Sequence, residues 1–189
     1  MKYLLKRLTD VVLSLFFLLV CAPVFVFIAV AIKLDSPGPV LYCRELNGSL
    51  VYRIGAKGQP FRYLKFRTMI QGSLEGEQEF TVIGQFIRRW QIDKLPELLL
   101  VLIGKMSLVG PRPCTVEEYN RLPDEFFQAW QMKPGIIGPN QLKAQTPNDE
   151  ERVATDLDYL NNWNPLSDLK LILLCPLLIV INNKRGSRF

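Results

Sequence analysis

The sequence contains no histidine, and this absence excludes several kinds of active site. Without histidine the chain forms neither a Ser-His nor a Cys-His nucleophile, and it has no imidazole ligand for a metal. Any nucleophile, acid or base must therefore be a carboxylate, a lysine, a tyrosine, a cysteine or a serine. A hard cation held by carboxylate and phosphate oxygens remains compatible with this composition.

Cysteine is scarce as well, since the chain has four, at Cys21, Cys43, Cys114 and Cys175. They are far apart, so their spacing fits neither a disulfide framework nor a zinc site. We interpret them as small buried apolar side chains in a reducing compartment, with no chemical role.

The formal net charge of +5 is typical of a protein that meets an anionic partner. The chain has no motif for binding DNA or RNA, so we expect membrane lipids, and no nucleic acid, as the partner. Its 189 residues are enough for one domain with its own core, with room for an appendage.

Residues 11–32 carry no charge, and about 20 apolar residues suffice to cross the hydrocarbon core of a bilayer. A secretory signal, a spanning helix and a re-entrant helix all fit this run. The run is long for a signal peptide. Basic residues flank it on both sides, which favours two cytoplasmic ends. Pro23 lies near its middle and predicts a break there, because proline removes a helical hydrogen bond.

Residues 40–69 have a strand-like pattern, and Asn47-Gly48 between apolar runs predicts a β-hairpin. Lys65 and Arg67 follow two residues apart on an extended stretch, which points both side chains to one face. The pair is suited to hold one anionic group together. The alternative is a solvated strand edge, where cations deter aggregation.

Apolar periodicity predicts further helices over residues 80–90, 115–130, 150–162 and 169–181. A basic tail follows the last of them, and we expect that helix to lie in the membrane interface. The alternative is a core helix with a disordered tail. The predicted fold class is mostly α with a small β-hairpin region, an α+β domain anchored to a membrane by the N-terminal helix.

Residues 88–113 read RRWQIDKLPELLLVLIGKMSLVGPRP and form the most informative stretch of the chain. Proline is tolerated in the first turn of a helix, so Pro96 predicts a helix that begins near Asp93. Asp93 then has two interpretations. It is an N-cap of that helix, or it is a nucleophile that attacks phosphorus at a helix N-terminus and forms an aspartyl phosphate.

This stretch resembles the signature of the bacterial sugar transferases, the membrane-bound polyprenyl-phosphate phosphoglycosyl transferases. That signature is D-E-L-P-(Q/E)-L followed by G-D-M-S-L-V-G-P-R-P. Two residues depart from it, because Lys94 stands where the family has glutamate and Lys105 stands where it has aspartate.

Other parts of the chain resemble the same family. Residues 65–69 match K-F-R-(S/T)-M, Arg53 begins a match to R-x-G, and residues 133–138 match (R/K)-P-G-I-(T/S)-G except for Ile137. Asp156 and Tyr159 match D-x-x-Y, and Asp168 matches a later aspartate. We interpret the last three as structural polar residues.

The resemblance implies transfer of a phospho-sugar from a UDP-sugar to polyprenyl (undecaprenyl) phosphate with release of UMP. This reaction begins the assembly of an exopolysaccharide or glycan. Asp93 would attack the β-phosphate and form a covalent intermediate, with Lys94 as its catalytic neighbour. The residues expected to bind phosphate or the nucleotide-sugar are Lys65, Arg67, Arg88, Lys105, Arg112 and Gln141.

The resemblance also implies Mg²⁺ as cofactor, with Asp93 as the metal ligand. Lys94 and Lys105 oppose this expectation, because positive charge disfavours a nearby cation. The alternative function is therefore a catalytically impaired membrane scaffold that binds a nucleotide-sugar or an active paralogue, as a homo- or hetero-oligomer.

The family's small members are monotopic, with a re-entrant helix broken at a Ser-Pro pair, which is Ala22-Pro23 here. We therefore expect a re-entrant membrane helix over residues 1–34. Residues 35–189 would form the transferase domain on the cytoplasmic face of the bacterial inner membrane.

Overall fold

The structure is a computed structural model that describes residues 2–42, 50–70, 79–121, 131–142 and 149–184. These ranges contain six α-helices and six short strands. The helices are α1 Lys2–Asp35, α2 Val82–Arg89, α3 Glu97–Leu102, α4 Val116–Arg121, α5 Asp149–Asn162 and α6 Pro165–Lys184. The strands are β1 Leu41–Tyr42, β2 Tyr52–Ile54, β3 Pro60–Arg62, β4 Lys65–Phe66, β5 Ser107–Val109 and β6 Gly135–Ile137. The expectation of a mostly helical protein with small sheets is confirmed.

The six strands form three separate two-stranded sheets. β1 pairs with β4 and β2 pairs with β3, both antiparallel, whereas β5 and β6 are parallel. Asn47-Gly48 lies outside the described residues, so the hairpin predicted there stays a prediction. β2 turns back into β3 through the short turn at Ala56–Gly58, where Lys57 has a φ of 57° and Gly58 a φ of 70°.

The predicted helices are present where the chain is described. α2 lies within residues 80–90, α5 matches residues 150–162 within one residue, and α6 is longer than the expected 169–181 at both ends. α4 ends at Arg121. The remainder of the predicted helix over 115–130 lies outside the described residues.

Among the residues that the structure describes, α1 is the helix that is long and apolar enough to cross a membrane. Pro23 lies inside it, and the helix runs without interruption from Lys2 to Asp35, so the predicted break is not shown. Much of its surface is apolar and exposed, as at Leu8, Val12, Phe16, Leu19, Val26, Phe27 and Val30.

The N-terminal third of α1 is fastened to the domain by two buried charged residues. Lys6 donates to the carbonyl of Val109 over 3.0 Å and forms a salt bridge of 2.6 Å with Asp168. Asp10 accepts hydrogen bonds from the hydroxyl of Ser107 over 2.8 Å and from the backbone N–H of Leu108 over 3.0 Å. Buried charges persist in a fold when they are paired in this way.

The C-terminal end of α1 is fastened to the same domain. Arg67 donates to the carbonyl oxygens of Ile32, over 3.3 Å, of Ser36, over 2.8 Å, and of Pro37. Ser36 and Pro37 follow the last residue of α1, where carbonyls have no intrahelical partner, whereas the Ile32 carbonyl also accepts from the backbone N–H of Ser36 over 3.2 Å. Asp35 accepts from the backbone N–H of Ile83 over 3.0 Å, which joins the end of α1 to the start of α2.

The core surrounds α3 and β5. Leu98, Val101, Met106 and Val109 are buried there together with the aromatic residues of α5 and the loop after it. Asp168 accepts from the Tyr159 hydroxyl over 2.6 Å. The indole N–H of Trp163 donates to the same carboxylate over 3.1 Å. The structure is consistent with the structural interpretation of Asp168 and Tyr159, and Asp156 likewise holds Asn140 through a 3.0 Å hydrogen bond.

Two surface helices expose apolar side chains at helical spacing. α2 exposes Val82 and Phe86, one turn apart, and its C-cap residue Trp90 continues the same apolar face. α6 exposes a longer stripe of Leu166, Leu169, Leu173, Leu177 and Val180. The two helices meet near their C-terminal ends, where Arg89 donates to the carbonyl of Asn183 over 3.5 Å.

Candidate active site

Asp93 lies in a short 3₁₀ turn, Ile92–Lys94, and not at the start of a helix. The backbone of Gln91 is left-handed, with a φ of 55°, and it turns the chain from α2 into this 3₁₀ segment. Pro96 occupies the N-cap position of α3, which begins at Glu97. The expectation that Asp93 caps the helix is therefore wrong, because the 3₁₀ turn separates the aspartate from α3.

Asp93 is 7% exposed, and both β4 and α2 pack against the 3₁₀ turn that carries it. Burial raises its pKa, and the positive charges of Lys65, Lys94 and Arg88 oppose that rise. These cations come from β4, from the 3₁₀ turn itself and from the last turn of α2. Three of the predicted site residues are thus brought together around the predicted nucleophile.

Each of these cations has a further contact that fixes its side chain. Lys65 lies over the ring of Tyr42, 5.1 Å from its centroid. Burial lowers the pKa of Lys65, and the charge of Asp93 opposes that fall. Lys94 donates to the side-chain oxygen of Gln91 over 3.1 Å.

Arg88 stands at the rim of the site. It is exposed, and its guanidinium lies 4.8 Å from the centroid of the Phe80 ring. An arginine held in this way keeps its donors available for phosphate oxygens.

A second carboxylate, outside the predicted set of site residues, lies close to Asp93. Glu97 is 2% exposed and accepts a 2.5 Å hydrogen bond from the hydroxyl of Tyr63. Burial raises the pKa of Glu97 to about 7, although the charge of Lys94 opposes that rise. Arg53 completes this side of the site, with its guanidinium 5.2 Å from the Tyr63 ring centroid. Two features of the sequence could have pointed to these residues. Glu97 occupies the Q/E position of the signature, and Arg53 is the arginine of R-x-G.

Arg67 is not part of this cluster, and its expected pairing with Lys65 around one anion is wrong. Both terminal nitrogens of the guanidinium donate to carbonyls at the end of α1, and the residue is 5% exposed. β4 consists of Lys65–Phe66 alone, so the strand geometry that would align the two cations ends before Arg67.

The remaining predicted residues lie elsewhere. Lys105 is exposed on the turn after α3, and Arg112 is exposed between the buried Pro111 and Pro113. Neither is among the charges that act most strongly on Asp93. The backbone of Gln141 belongs to the 3₁₀ turn Pro139–Leu142, and its side chain lies outside the described part of the structure.

The described side chains around Asp93 do not form a divalent-cation site by themselves. Within the described residues no three carboxylate or cysteine side chains group together in the manner of a metal site. Glu97 is engaged by Tyr63, and the position next to Asp93 carries the ammonium of Lys94. Magnesium prefers oxygen ligands, and nearby positive charge weakens its binding.

The sequence matches the bacterial sugar transferase family over residues 1–182. The chain belongs to the bacterial sugar transferase family. The resemblance carried by the signature is therefore confirmed, and so is the family assignment of nearly the whole chain.

Curated relatives carry names from polysaccharide assembly. The UDP-glucose:undecaprenyl-phosphate glucose-1-phosphate transferase of Escherichia coli K12 is 36% identical over 90% of this chain and 39% of its own length. The transferase of the same name from Caulobacter vibrioides is 36% identical over 89% of this chain and 67% of its own length. The exopolysaccharide production protein PSS of Rhizobium leguminosarum is 35% identical over 91% of this chain and 93% of its own length. This chain thus spans well under half of the first relative and nearly all of the third.

Proposed function

We propose that the chain is a phosphoglycosyl transferase that moves a phospho-sugar from a UDP-sugar to undecaprenyl phosphate and releases UMP. The observation that carries the proposal is the buried Asp93 at the nucleophile position of the family signature, where the charges of Lys65, Lys94 and Arg88 oppose the effect of burial on its pKa. The names of the relatives from Escherichia coli and Caulobacter vibrioides, which specify undecaprenyl phosphate, support it.

In the first step a carboxylate oxygen of Asp93 attacks the β-phosphorus of the UDP-sugar. The new bond joins that oxygen to phosphorus, and the phosphoanhydride bond to UMP breaks, so the electron pair leaves with UMP. The charges of Lys65, Lys94 and Arg88 offset the negative charge that develops on the phosphate oxygens. Burial makes this compensation stronger than it would be in water.

In the second step a phosphate oxygen of undecaprenyl phosphate attacks the same phosphorus. The bond to Asp93 breaks and the carboxylate leaves ionised, which restores the enzyme. The sequence of two displacements at one aspartate is a ping-pong course. No metal step is included, because the described residues bring no three metal-ligating side chains together.

We place the domain on the cytoplasmic face of the inner membrane, with α1 re-entering the leaflet that it leaves. Both ends of α1 are fastened to one domain, by Lys6 near its start and by Arg67 at its end. Residues 15–27 between them include no buried side chain. Pro23 lies in this exposed middle, where a bend moves apolar surface into the lipid while both ends stay with the domain. The apolar stripes of α2 and α6 are suited to the same membrane surface.

The scaffold alternative is not favoured, because the predicted nucleophile keeps its burial and its cations. Binding to a paralogue or to a second copy stays a prediction.

The test is UMP release and adduct formation by the purified full-length chain. Asp93→Asn should reduce UMP release by at least about 10³-fold and abolish the covalent phospho-sugar adduct seen by mass spectrometry, since the amide cannot carry the transfer. Asp158→Asn on the exposed surface of α5 is the matched control and should leave both readouts unchanged. UMP release that survives in folded Asp93→Asn protein would overturn the proposal.

A further inference from the structure

Two cations flank Gly104, the residue that follows the C-cap of α3. Nη2 of Arg7 and Nζ of Lys133 each lie 3.4 Å from the point where a Cβ on Gly104 would stand. The two nitrogens are therefore separated by at most twice that distance. Gly104 has a φ of 80°, in the region that favours glycine, and it has no side chain to fill the space between the two cations.

The guanidinium of Arg7 is oriented by the end of α3. Its Nη1 donates to the carbonyl of Val101 over 2.6 Å, and its Nη2 donates to the carbonyl of Leu102 over 2.7 Å. An arginine side chain has five N–H donors, so these two bonds leave donors for a further acceptor. Arg7 is thus fixed in place without being saturated.

Lys133 is half-buried, and it forms no hydrogen bond or ion pair with any residue that the structure describes. Burial lowers the pKa of Lys133 and the charge of Arg7 lowers it further, whereas the charge of Asp10 opposes the fall. Asp10, however, is engaged by the Ser107 hydroxyl and by the backbone N–H of Leu108. Within the described ranges the two cations at Gly104 therefore have no carboxylate of their own.

The residue after Gly104 adds a third positive charge. The family signature has aspartate there, and this chain has Lys105, which is exposed and pairs with no carboxylate in the described parts of the chain. An aspartate at this position would place a carboxylate beside Gly104. Its replacement by lysine leaves three cations around one glycine, and such a cluster favours an anion from outside the chain.

The surface beside this cluster is apolar. Leu4 and Leu8 lie close to Arg7 on α1, Ile103 directly precedes Gly104, and these three apolar side chains are exposed. Cations next to exposed apolar side chains are suited to the headgroup region of a bilayer. The same helix α1 is the candidate membrane segment. An anion that arrives with a lipid therefore fits these surroundings better than a free anion.

We propose that Arg7, Lys105 and Lys133 bind the phosphate group of an anionic phospholipid at the end of α3. The oxygens of one phosphate can bridge two cations at this separation through charge-assisted hydrogen bonds of about 2.7–2.9 Å. The six residues of α3 span about 9 Å, and Asp93 precedes the opposite end of that helix. The polyprenyl acceptor must place its phosphate at the phosphorus that Asp93 attacks, so the occupant of this second site is a phospholipid of the surrounding membrane.

The experiment measures Tm of the full-length chain in mixed micelles at constant ionic strength. The micelles contain phosphatidylglycerol or phosphatidylcholine, or inorganic phosphate is added at the same concentration. Phosphatidylglycerol at roughly a tenfold excess over its Kd should raise Tm by about 3–5 °C, and the other two should raise it by less than about 1 °C.

Three variants and a control assign the shift to the cluster. Lys133→Gln and Lys105→Asp should each remove most of the effect of phosphatidylglycerol, because each removes a positive charge beside Gly104. Lys133→Arg retains the charge and should keep the effect. Lys57→Gln, at an exposed lysine in the turn between β2 and β3, is the matched control and should also keep it.

Several outcomes would overturn the inference. An equal shift with phosphatidylcholine, whose headgroup has no net charge, would attribute the effect to micelle composition. An equal shift with inorganic phosphate would assign the site to a free anion and exclude the lipid as its occupant. A full phosphatidylglycerol shift in folded Lys133→Gln or Lys105→Asp protein would show that the cluster does not bind the headgroup. Should Lys133→Gln fail to fold, Lys105→Asp on the exposed turn carries the test. The measurement requires no catalysis, so its failure is distinct from a failure of the proposed transferase function.

Discussion

Replacing Arg67 by methionine tests whether this arginine binds substrate or holds the membrane helix. The sequence favours phosphate binding, since Arg67 lies in a K-F-R motif next to Lys65. The structure instead directs its guanidinium to three carbonyl oxygens at the end of α1. Methionine keeps the length of the apolar stem but removes every donor.

The magnitude follows from these hydrogen bonds. A hydrogen bond to a charged group contributes about 1.5–3 kcal/mol, and an unpaired buried acceptor carries a penalty of about 1–3 kcal/mol. Solvent and the remaining backbone donors replace part of the loss, so we expect a total near 3–5 kcal/mol, the range found when one member of a buried charged contact is removed. For a domain of this size 1 kcal/mol corresponds to roughly 2–4 °C in Tm. Arg67→Met should therefore lower Tm by at least about 6 °C.

The assay is thermal unfolding in detergent, combined with KM for the UDP-sugar in whatever fraction stays folded. Lys65→Met, two residues earlier in the chain, is the matched control, because the charge of Lys65 acts on Asp93 and its side chain caps no helix. It should keep most of the stability and lose activity, the reverse of Arg67→Met. A variant Arg67→Met with an unchanged Tm and a strongly raised KM would refute the reasoning and assign the arginine to the substrate.

Three further predictions concern the metal, the topology and the pH dependence of stability. UMP release should persist in a chelator. Lys94→Glu should make UMP release respond to magnesium, whereas Lys105→Asp, on the exposed turn, should not. A wild type that depends strictly on magnesium would contradict the expectation that no metal is needed. In a background without the native cysteines, Leu4→Cys and Leu34→Cys should both react with a membrane-impermeant thiol reagent only from the cytoplasmic side, and labelling of either from outside would exclude re-entry. Burial raises the pKa of Glu97 from 4.5 to about 7. The contribution of its protonated carboxyl to stability is therefore complete below pH 4.5 and is lost as pH rises through about 7. Glu97→Gln should flatten that part of a plot of Tm against pH, and an unchanged slope would show that the carboxyl titrates normally.

The sequence predicted the parts of the fold that depend on local pattern. α2, α5 and α6 follow from apolar periodicity and from nearby proline and glycine, which act within a few residues. The pairing of β1 with β4 was not predictable in this way. It depends on Phe66 and Ile87 packing against the end of α1, a contact between distant parts of the chain.

The site was predictable to the extent that a motif specifies it. Asp93, Lys65, Lys94 and Arg88 were singled out from the signature and its flanks, and the structure brings them together. Glu97 was missed because a glutamate in the first turn of a helix is ordinary at the surface, and its burial depends on tertiary packing.

The predicted role of Arg67 in binding an anion was wrong for a related reason. Sequence spacing gives the face of a strand but not the length of that strand. The local pattern also does not show that the carbonyl oxygens at the end of a distant helix accept hydrogen bonds from this arginine.

The salt bridge between Lys6 and Asp168 has a consequence for how the protein is made. Its two residues are 162 positions apart in the chain. Helix α1 leaves the ribosome well before Asp168 is made, so it meets its carboxylate partner only after 162 further residues have been added. Until then the ammonium of Lys6 has no carboxylate partner, and the apolar helix can rest in the lipid before the domain has formed. A chain that stops before Asp168 would therefore reach the bilayer without the salt bridge that fastens the start of α1.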